Sequence, residues 1–332
     1  MKRLLFQAAA ALTFSALLGA VPARAKMIID VTYGGGVPTA AETAFNTVVA
    51  DYENLYSNNI TVNLQVDFAS GGLGASSSST VAVSYTAFKA ALAANATANP
   101  NNIYIADAVA ALPGSDPLGS GSVILRTAEA RALGFTNATI LIGNVGPTDD
   151  STLTFNSDAN TFEYNGVAQS GLYDFQDVAA HELDEALGVG SALTGLADGA
   201  AVPTNYYDAE DYFRYSATAV RDITTSAGAT VYFSYNGGAT DVAKFNQDNT
   251  YGDRNDWNYA NTSCPGSSPG PYIQDAIGCT DSAVKVGKTG SPETIVLNTL
   301  GYDLASPVPE PGTILLGCSG LALLAVLRRQ SR

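Results

Sequence analysis

One short segment, residues 178–191, constrains the fold more than any other part of the chain, because its centre holds the only histidine among 332 residues. Successive side chains of an α-helix rotate by about 100°, so in a helix His181 and Glu185 lie about 40° apart on one face. The flanking acids are Glu182 and Asp184, the apolar positions are Ala179, Leu183, Ala186 and Leu187, and the following glycines are Gly188 and Gly190. The pattern predicts an amphipathic helix with one face that carries an imidazole and carboxylates, ended by glycine.

The order His181-Glu182-x-x-Glu185-x-x-Gly188-x-x-Ser191 resembles the active-site helix of metzincin zinc peptidases, whose pattern is His-Glu-x-x-His-x-x-Gly-x-x-His or Asp. The resemblance implies an α+β, zincin-like fold and a metal-dependent peptidase. It makes His181 and Glu185 metal ligands, Ser191 a third ligand, and Glu182 the general base that activates water. Glu185 replaces a histidine of the pattern, and this exchange shifts the expected ion from zinc toward manganese or calcium.

A further acidic ligand is expected, because the hydroxyl of Ser191 is a weak partner for zinc. Acids and aromatic residues are crowded together in residues 205–215. We therefore predict Asp211 as the additional ligand, or Asp208, with Glu210 behind them.

The aromatic residues of the same region have two readings. Metzincins have a methionine turn beneath the metal, but Met27 is the only methionine after the leader, so residues 212–215 are expected to fill that floor. Four tyrosines could line a peptide or sugar cleft, or could pack the loop onto the core. They are Tyr206, Tyr207, Tyr212 and Tyr215.

The N-terminus is typical of a secretory signal peptide. Lys2 and Arg3 precede an apolar run over residues 4–21, and Ala23-Arg24-Ala25 is a small-x-small cleavage site. The mature chain is therefore predicted to begin near residue 26.

The C-terminus, residues 306–332, resembles the PEP-CTERM sorting signal of exported bacterial proteins. Pro309, Glu310 and Pro311 precede an apolar run over residues 313–327 and an arginine-rich tail. The resemblance implies cutting by an exosortase after a transient membrane anchorage, and then a surface or extracellular location. An ordinary C-terminal anchor is the alternative.

The charge of the body between these termini excludes some partners. Of 16 basic and 31 acidic residues, six basic and one acidic belong to the termini, which leaves 10 and 30, or a net charge of about −20. Such a charge argues against binding of nucleic acid or anionic lipid, and fits an extracellular protein or one that holds cations.

Cysteine use agrees with export. Cys318 lies in the C-terminal apolar run, which leaves Cys264 and Cys279 as the pair of the body. A disulfide between them would close a loop of about 15 residues, worth roughly 3 kcal/mol. A catalytic serine or cysteine of a Ser-His-Asp or Cys-His site would have to use His181 as its base. Thiols that form a disulfide are poor candidates for such a nucleophile.

Periodicity predicts a single α+β domain over residues 26–305. Strands are expected at 27–33, 60–68, 122–128, 138–142 and 229–235, helices at 38–56, 85–96 and 292–304, a loop at 71–79, and a hairpin from 152–155 and 161–164. The oxygen-rich residues 248–256 could form a calcium loop, but they lack the acid at the twelfth EF-hand position, so a solvated turn is favoured.

Two functions follow. The first is an exported metzincin-like peptidase with zinc and a peptide or envelope substrate. The second is a noncatalytic matrix or adhesion protein that keeps the fold to bind exopolysaccharide or another envelope component.

Overall fold

A computed structural model describes residues 26–135, 140–142, 149–248, 250–258, 271–284 and 290–305. It has a mixed α/β architecture with several sheets. The described helices are α1 (Thr39–Leu55), α2 (Tyr85–Ala98), α3 (Ile103–Ala111), α4 (Thr127–Ala132), α5 (Phe175–Leu187) and α6 (Pro292–Thr299). One hydrophobic cluster extends from Met27 to Tyr302, so the described segments share a core.

The first sheet determines where the site lies. Its strands are β1 (Ile28–Tyr33), β2 (Thr61–Ala69), β3 (Gly74–Ser78) and β7 (Ser151–Asn156), in the order β1-β2-β7-β3. β1, β2 and β7 are parallel, and β3 runs antiparallel to β7 at the edge. The predicted alternation of β2 is confirmed, since Val62, Leu64 and Val66 are buried and their neighbours are not.

Two predictions near this sheet are wrong. Residues 71–79 were expected to be a loop because they are small and polar, but residues 74–78 pair with β7 as strand β3. The hairpin of 152–155 and 161–164 does not form. Because β7 is already paired on both edges, β8 (Phe162–Glu163) pairs in parallel with β9 (Tyr173–Asp174) instead.

Two further sheets complete the described strands. β4 (Thr80–Ser84), β5 (Ser122–Arg126), β6 (Ile140–Ile142) and β10 (Tyr207–Asp208) are ordered β10-β5-β4-β6, and β11 (Arg214–Ala217), β12 (Val220–Arg221), β13 (Tyr232–Phe233) and β14 (Ala243–Lys244) are ordered β12-β11-β13-β14. A 3-10 turn over Ala209–Phe213 joins β10 to β11. Predicted strands 122–128 and 229–235 are therefore shorter than expected.

Helix α5 is the predicted histidine-bearing helix. Asp174 caps its start by accepting a hydrogen bond from the Gln176 N–H, and Gly188 ends it with a positive φ of 143°. The expected acidic face is not solvated, because Glu182, Asp184 and Glu185 are all buried. Asp184 accepts a hydrogen bond from the Tyr52 hydroxyl of α1 at 2.6 Å, so it ties α5 to α1 and does not flank the histidine.

The other helix predictions are confirmed in outline. α1 and α2 match their predicted ranges within two residues, α6 stops at Thr299 and not at residue 304, and α3 and α4 were not predicted.

The predicted export signals, Cys264 and Cys318 lie outside the described residues. Cys279 is disulfide-bonded. Among the described residues, no helix is long and apolar enough to span a bilayer.

Candidate metal centre

Two side chains of α5 and one from a distant loop converge at one point. The Nε2 atom of His181 lies 3.8 Å from Glu185 Oε1 and 3.5 Å from Asp256 Oδ1. One donor atom from each of the three lies within 4.8 Å of the others. Two ligands about 2.1 Å from a common tetrahedral ion are about 3.4 Å apart, so these separations fit a shared metal ion.

Hydrogen bonds hold both carboxylates in place. Glu185 accepts from Ser76 Oγ of β3 at 2.7 Å and from Asn255 Nδ2 at 3.1 Å. Asp256 accepts from Asn255 Nδ2 at 3.3 Å and from the backbone N–H of Asp253 at 2.6 Å. Such outer partners orient ligands and support metal affinity.

The orientation of His181 suits a ligand. Its Nδ1 lies 3.0 Å from the backbone carbonyl of Ile273, which can only accept, so Nδ1 carries the hydrogen. Nε2 then faces Glu185 and Asp256, and Gln274 Nε2 lies 3.0 Å away and donates to its lone pair. This carbonyl fixes the tautomer as in many metal-binding histidines.

The electrostatic field at the centre favours positive charge. Burial alone would lower the pKa of His181, but the carboxylates of Asp256, Glu182 and Glu185 outweigh it and raise the pKa to about 10. The hydrogen bond from Gln274 instead needs a neutral Nε2. The field therefore attracts a proton or a cation to Nε2, and either one would take up the lone pair to which Gln274 would donate.

Glu182 lies beside the three donors. It is 5 % exposed, and its Oε2 atom is buried without a hydrogen-bond partner among the described residues. Burial and the Glu185 carboxylate raise its pKa well above the ordinary value. Gly74 of β3 makes room for it, since a Cβ at that position would lie 2.3 Å from Glu182 Oε1.

A cleft of about 570 Å³ opens onto these side chains. Its lining includes residues 73–76 of the β3 segment, residues 250–253, residues 271–273 and residues 275–279. Its aromatic lining consists of Tyr173, Tyr251 and Tyr272. The predicted tyrosines are elsewhere: Tyr207, Tyr212 and Tyr215 are buried in the core, and Tyr206 is exposed.

The other predicted ligands form a separate group. Ser191 Oγ donates to Asp211 Oδ1 at 2.5 Å, and the backbone N–H groups of Ala192 and Asp208 donate to Asp211 Oδ2. The structure thus brings His181 and Glu185 together with Asp256, whereas Asp211 and Ser191 bind each other.

Asp208 and Glu210 also have partners outside the metal centre. Asp208 pairs with Arg126 at 3.2 Å, and Glu210 accepts from the Gly190 N–H. Residues 212–215 were expected to lie beneath the metal. In this segment Tyr212 stacks on Tyr85 of α2, and Arg214 lies over the ring of Phe245.

Asp256 was missed because residues 248–256 were interpreted as a solvated turn. Asp256 is 2 % exposed, and the solvated reading is wrong for it. The available signal was Trp257, the only tryptophan: it is 1 % exposed, and an apolar residue of that size anchors the adjacent loop in the core.

Comparison with known proteins identifies the C-terminus. Residues 307–332 match the PEP-CTERM protein-sorting motif, which implies export, processing by an exosortase and a surface or extracellular location. No curated protein and no solved structure matches the chain. The sorting prediction is confirmed, and the resemblance to metzincins stays a prediction.

Proposed function

We propose that the protein is an exported metal-dependent peptidase whose ion is held by His181, Glu185 and Asp256. The convergence of an imidazole and two carboxylates from a helix and a distant loop is the observation that carries this proposal. Buried acids are rare unless they are paired or bind metal. Among the described residues, no lysine or arginine forms an ion pair with this group.

The proposed chemistry is hydrolysis by activated water. A bound divalent ion would polarise a carbonyl group and lower the pKa of a water molecule. Glu182 would take the proton from that water, since its unpartnered Oε2 atom is an acceptor at the wall of the cleft. The positive charge of the ion would counter the burial and the Glu185 carboxylate that keep Glu182 protonated.

A peptide is the substrate that the walls of the cleft favour. β3 is an edge strand, and within the described residues it pairs only with β7. An extended peptide can add to such an edge through backbone hydrogen bonds. This arrangement supports a substrate that binds in an extended conformation along residues 73–76.

Metal content and peptide cleavage test the proposal. We expect the purified exported protein to bind one divalent ion and to cleave a quenched fluorescent peptide library, and a chelator to abolish cleavage. Glu182→Gln should keep the ion and lower kcat by about 10² to 10⁴, the usual contribution of a general base.

Asp184→Asn is the matched control. It changes a buried acid on the same helix that faces Tyr52 and not the cleft. It should keep both metal and activity. A protein without stoichiometric metal after incubation with zinc, manganese or calcium would contradict the proposal, as would full activity of Glu182→Gln.

A noncatalytic matrix protein is the second candidate. It is favoured by the hydrogen bonds that His181, Glu185 and Asp256 already make with protein groups, because such a network can serve stability alone. This candidate predicts binding of exopolysaccharide that persists in chelator, together with no cleavage of peptides.

A further inference from the structure

Gln274 lies at the metal centre although no sequence pattern marks it. It is 0 % exposed. Its backbone N–H donates to Glu293 Oε1 of α6 at 3.2 Å, and its carbonyl accepts from the Trp257 N–H at 2.7 Å. The backbone that carries this side chain is therefore anchored beside the centre.

The carboxamide group of Gln274 occupies a position suited to a ligand. Its Nε2 atom lies 3.0 Å from His181 Nε2 and 3.2 Å from Asp256 Oδ1, separations similar to those among the three donors. Its Oε1 atom is buried without a hydrogen-bond partner among the described residues. A buried carbonyl oxygen without a hydrogen-bond partner is unfavourable, so its position requires an explanation.

Binding of a cation at this centre would explain the position of the Gln274 Oε1 atom. With His181 neutral and no ion bound, the N–H groups of the amide donate to the lone pairs of His181 and Asp256 and act in place of positive charge. An ion takes up those lone pairs and repels the N–H groups. A half-turn of the amide exchanges nitrogen for oxygen and directs a carbonyl oxygen at the ion.

We propose that Gln274 is the fourth protein ligand, whose amide turns when a divalent ion binds to His181, Glu185 and Asp256. This inference rests on the proposed metal centre. It also specifies the class of ion. One imidazole and three oxygen donors suit a hard ion such as Mn²⁺, which accepts further ligands and so leaves room for water.

Ion affinities of Gln274 variants in the full chain test the inference. Titration calorimetry with Mn²⁺ and with Zn²⁺ should find that Gln274→Met, which removes the oxygen but keeps the volume, weakens Mn²⁺ binding by about 10- to 100-fold. Zn²⁺ binding should weaken less, because zinc is satisfied by three protein ligands and water.

Gln274→Met and Gln274→Glu together separate a metal ligand from a residue that only donates hydrogen bonds. Glutamate offers oxygen but no N–H group, so a ligand role predicts Mn²⁺ binding at least as tight as in the wild type. If Gln274 only donates hydrogen bonds to the empty site, both variants lose a contact of the ion-free state alone, so neither should bind Mn²⁺ more weakly than the wild type. That outcome overturns the inference.

Gln247→Met is the matched control, because Gln247 is equally buried but contacts Arg254. It should leave Mn²⁺ affinity unchanged, and the melting temperature of each variant checks folding. Wild-type affinity in Gln274→Met overturns the ligand role and leaves the metal centre intact. Absence of ion binding in the wild type removes both.

Discussion

Two buried acidic clusters lie near helix α5, and they differ in how their charge is balanced. The His181 cluster contains His181, Glu182, Glu185 and Asp256. The Asp211 cluster contains Ser191, Asp208, Glu210 and Asp211 together with Arg126 and Arg214. The sequence offered both as sources of metal ligands, and only their surroundings distinguish them.

The Asp208 and Asp211 carboxylates of the Asp211 cluster are satisfied by the protein itself. Arg126 pairs with Asp208, and three donors, namely Ser191 Oγ and the N–H groups of Ala192 and Asp208, bond to Asp211. In the His181 cluster, three carboxyl groups face one imidazole. The comparison teaches that a dense group of acids indicates an ion site only where arginine and backbone N–H groups leave the charge uncompensated.

The largest expected effect comes from removing the charge of Asp256. Asp256→Asn should weaken divalent-ion binding by at least about 100-fold, since it removes a charged ligand, while the free energy of unfolding without metal changes by less than about 1 kcal/mol. Relief of repulsion from Glu185 offsets the lost contacts, because burial already raises the pKa of Asp256 to about 7. Calorimetric titration and urea unfolding measure the two quantities.

Asp211→Asn is the control for this prediction in the other cluster. It should leave ion affinity unchanged. Loss of ion binding in Asp211→Asn but not in Asp256→Asn would reverse the assignment of the two clusters.

A smaller effect is expected when Arg126 is replaced, and it is the reverse of the Asp256→Asn pattern because stability falls while ion affinity stays the same. Arg126→Met leaves the carboxylate of Asp208, which is 8 % exposed, without its ion pair. We expect a loss of about 2 kcal/mol in unfolding free energy, below the usual range for a buried pair because the Arg126 side chain is 21 % exposed. Ion affinity should not change. A variant as stable as the wild type would mean that Asp208 is already neutral in the folded protein.

The limits of sequence reasoning are explained by the same two clusters. His181 and Glu185 were predicted correctly as neighbours because helical spacing is local and regular. Gln274 lies 93 residues beyond His181, in a loop without periodicity, so no spacing rule could link them. Asp211 was predicted as a ligand because of its crowded acidic surroundings, but donors of the protein itself already bond to its carboxylate.

Strand β3 gives a second example. Its small polar residues have low strand propensity, so a loop was expected. Pairing with β7 fixed its structure, and this partner is separated from it by more than 70 residues of sequence. The wall of the cleft therefore depended on a long-range contact that composition does not encode.

The last predicted effect concerns the pH dependence of the Asp211 cluster. Burial raises the pKa of Asp211 to about 6, although Arg214 opposes the rise. In the unfolded chain the group titrates near 3.9, so between about pH 4 and 6 only the unfolded state loses this proton. Its contribution to stability is then full below about pH 4 and falls as the pH rises through 6.

Asp211→Asn removes this titration, so its unfolding free energy should fall less between pH 4 and 6, by roughly 2 kcal/mol relative to the wild type. Urea unfolding across that range measures the slope, and Asp30→Asn, an exposed aspartate of β1, is the control. An unchanged slope would mean that the donors around Asp211 compensate its charge at all pH values. The Asp211 cluster would then be even less able than now to attract an ion, and the contrast with the His181 cluster would sharpen.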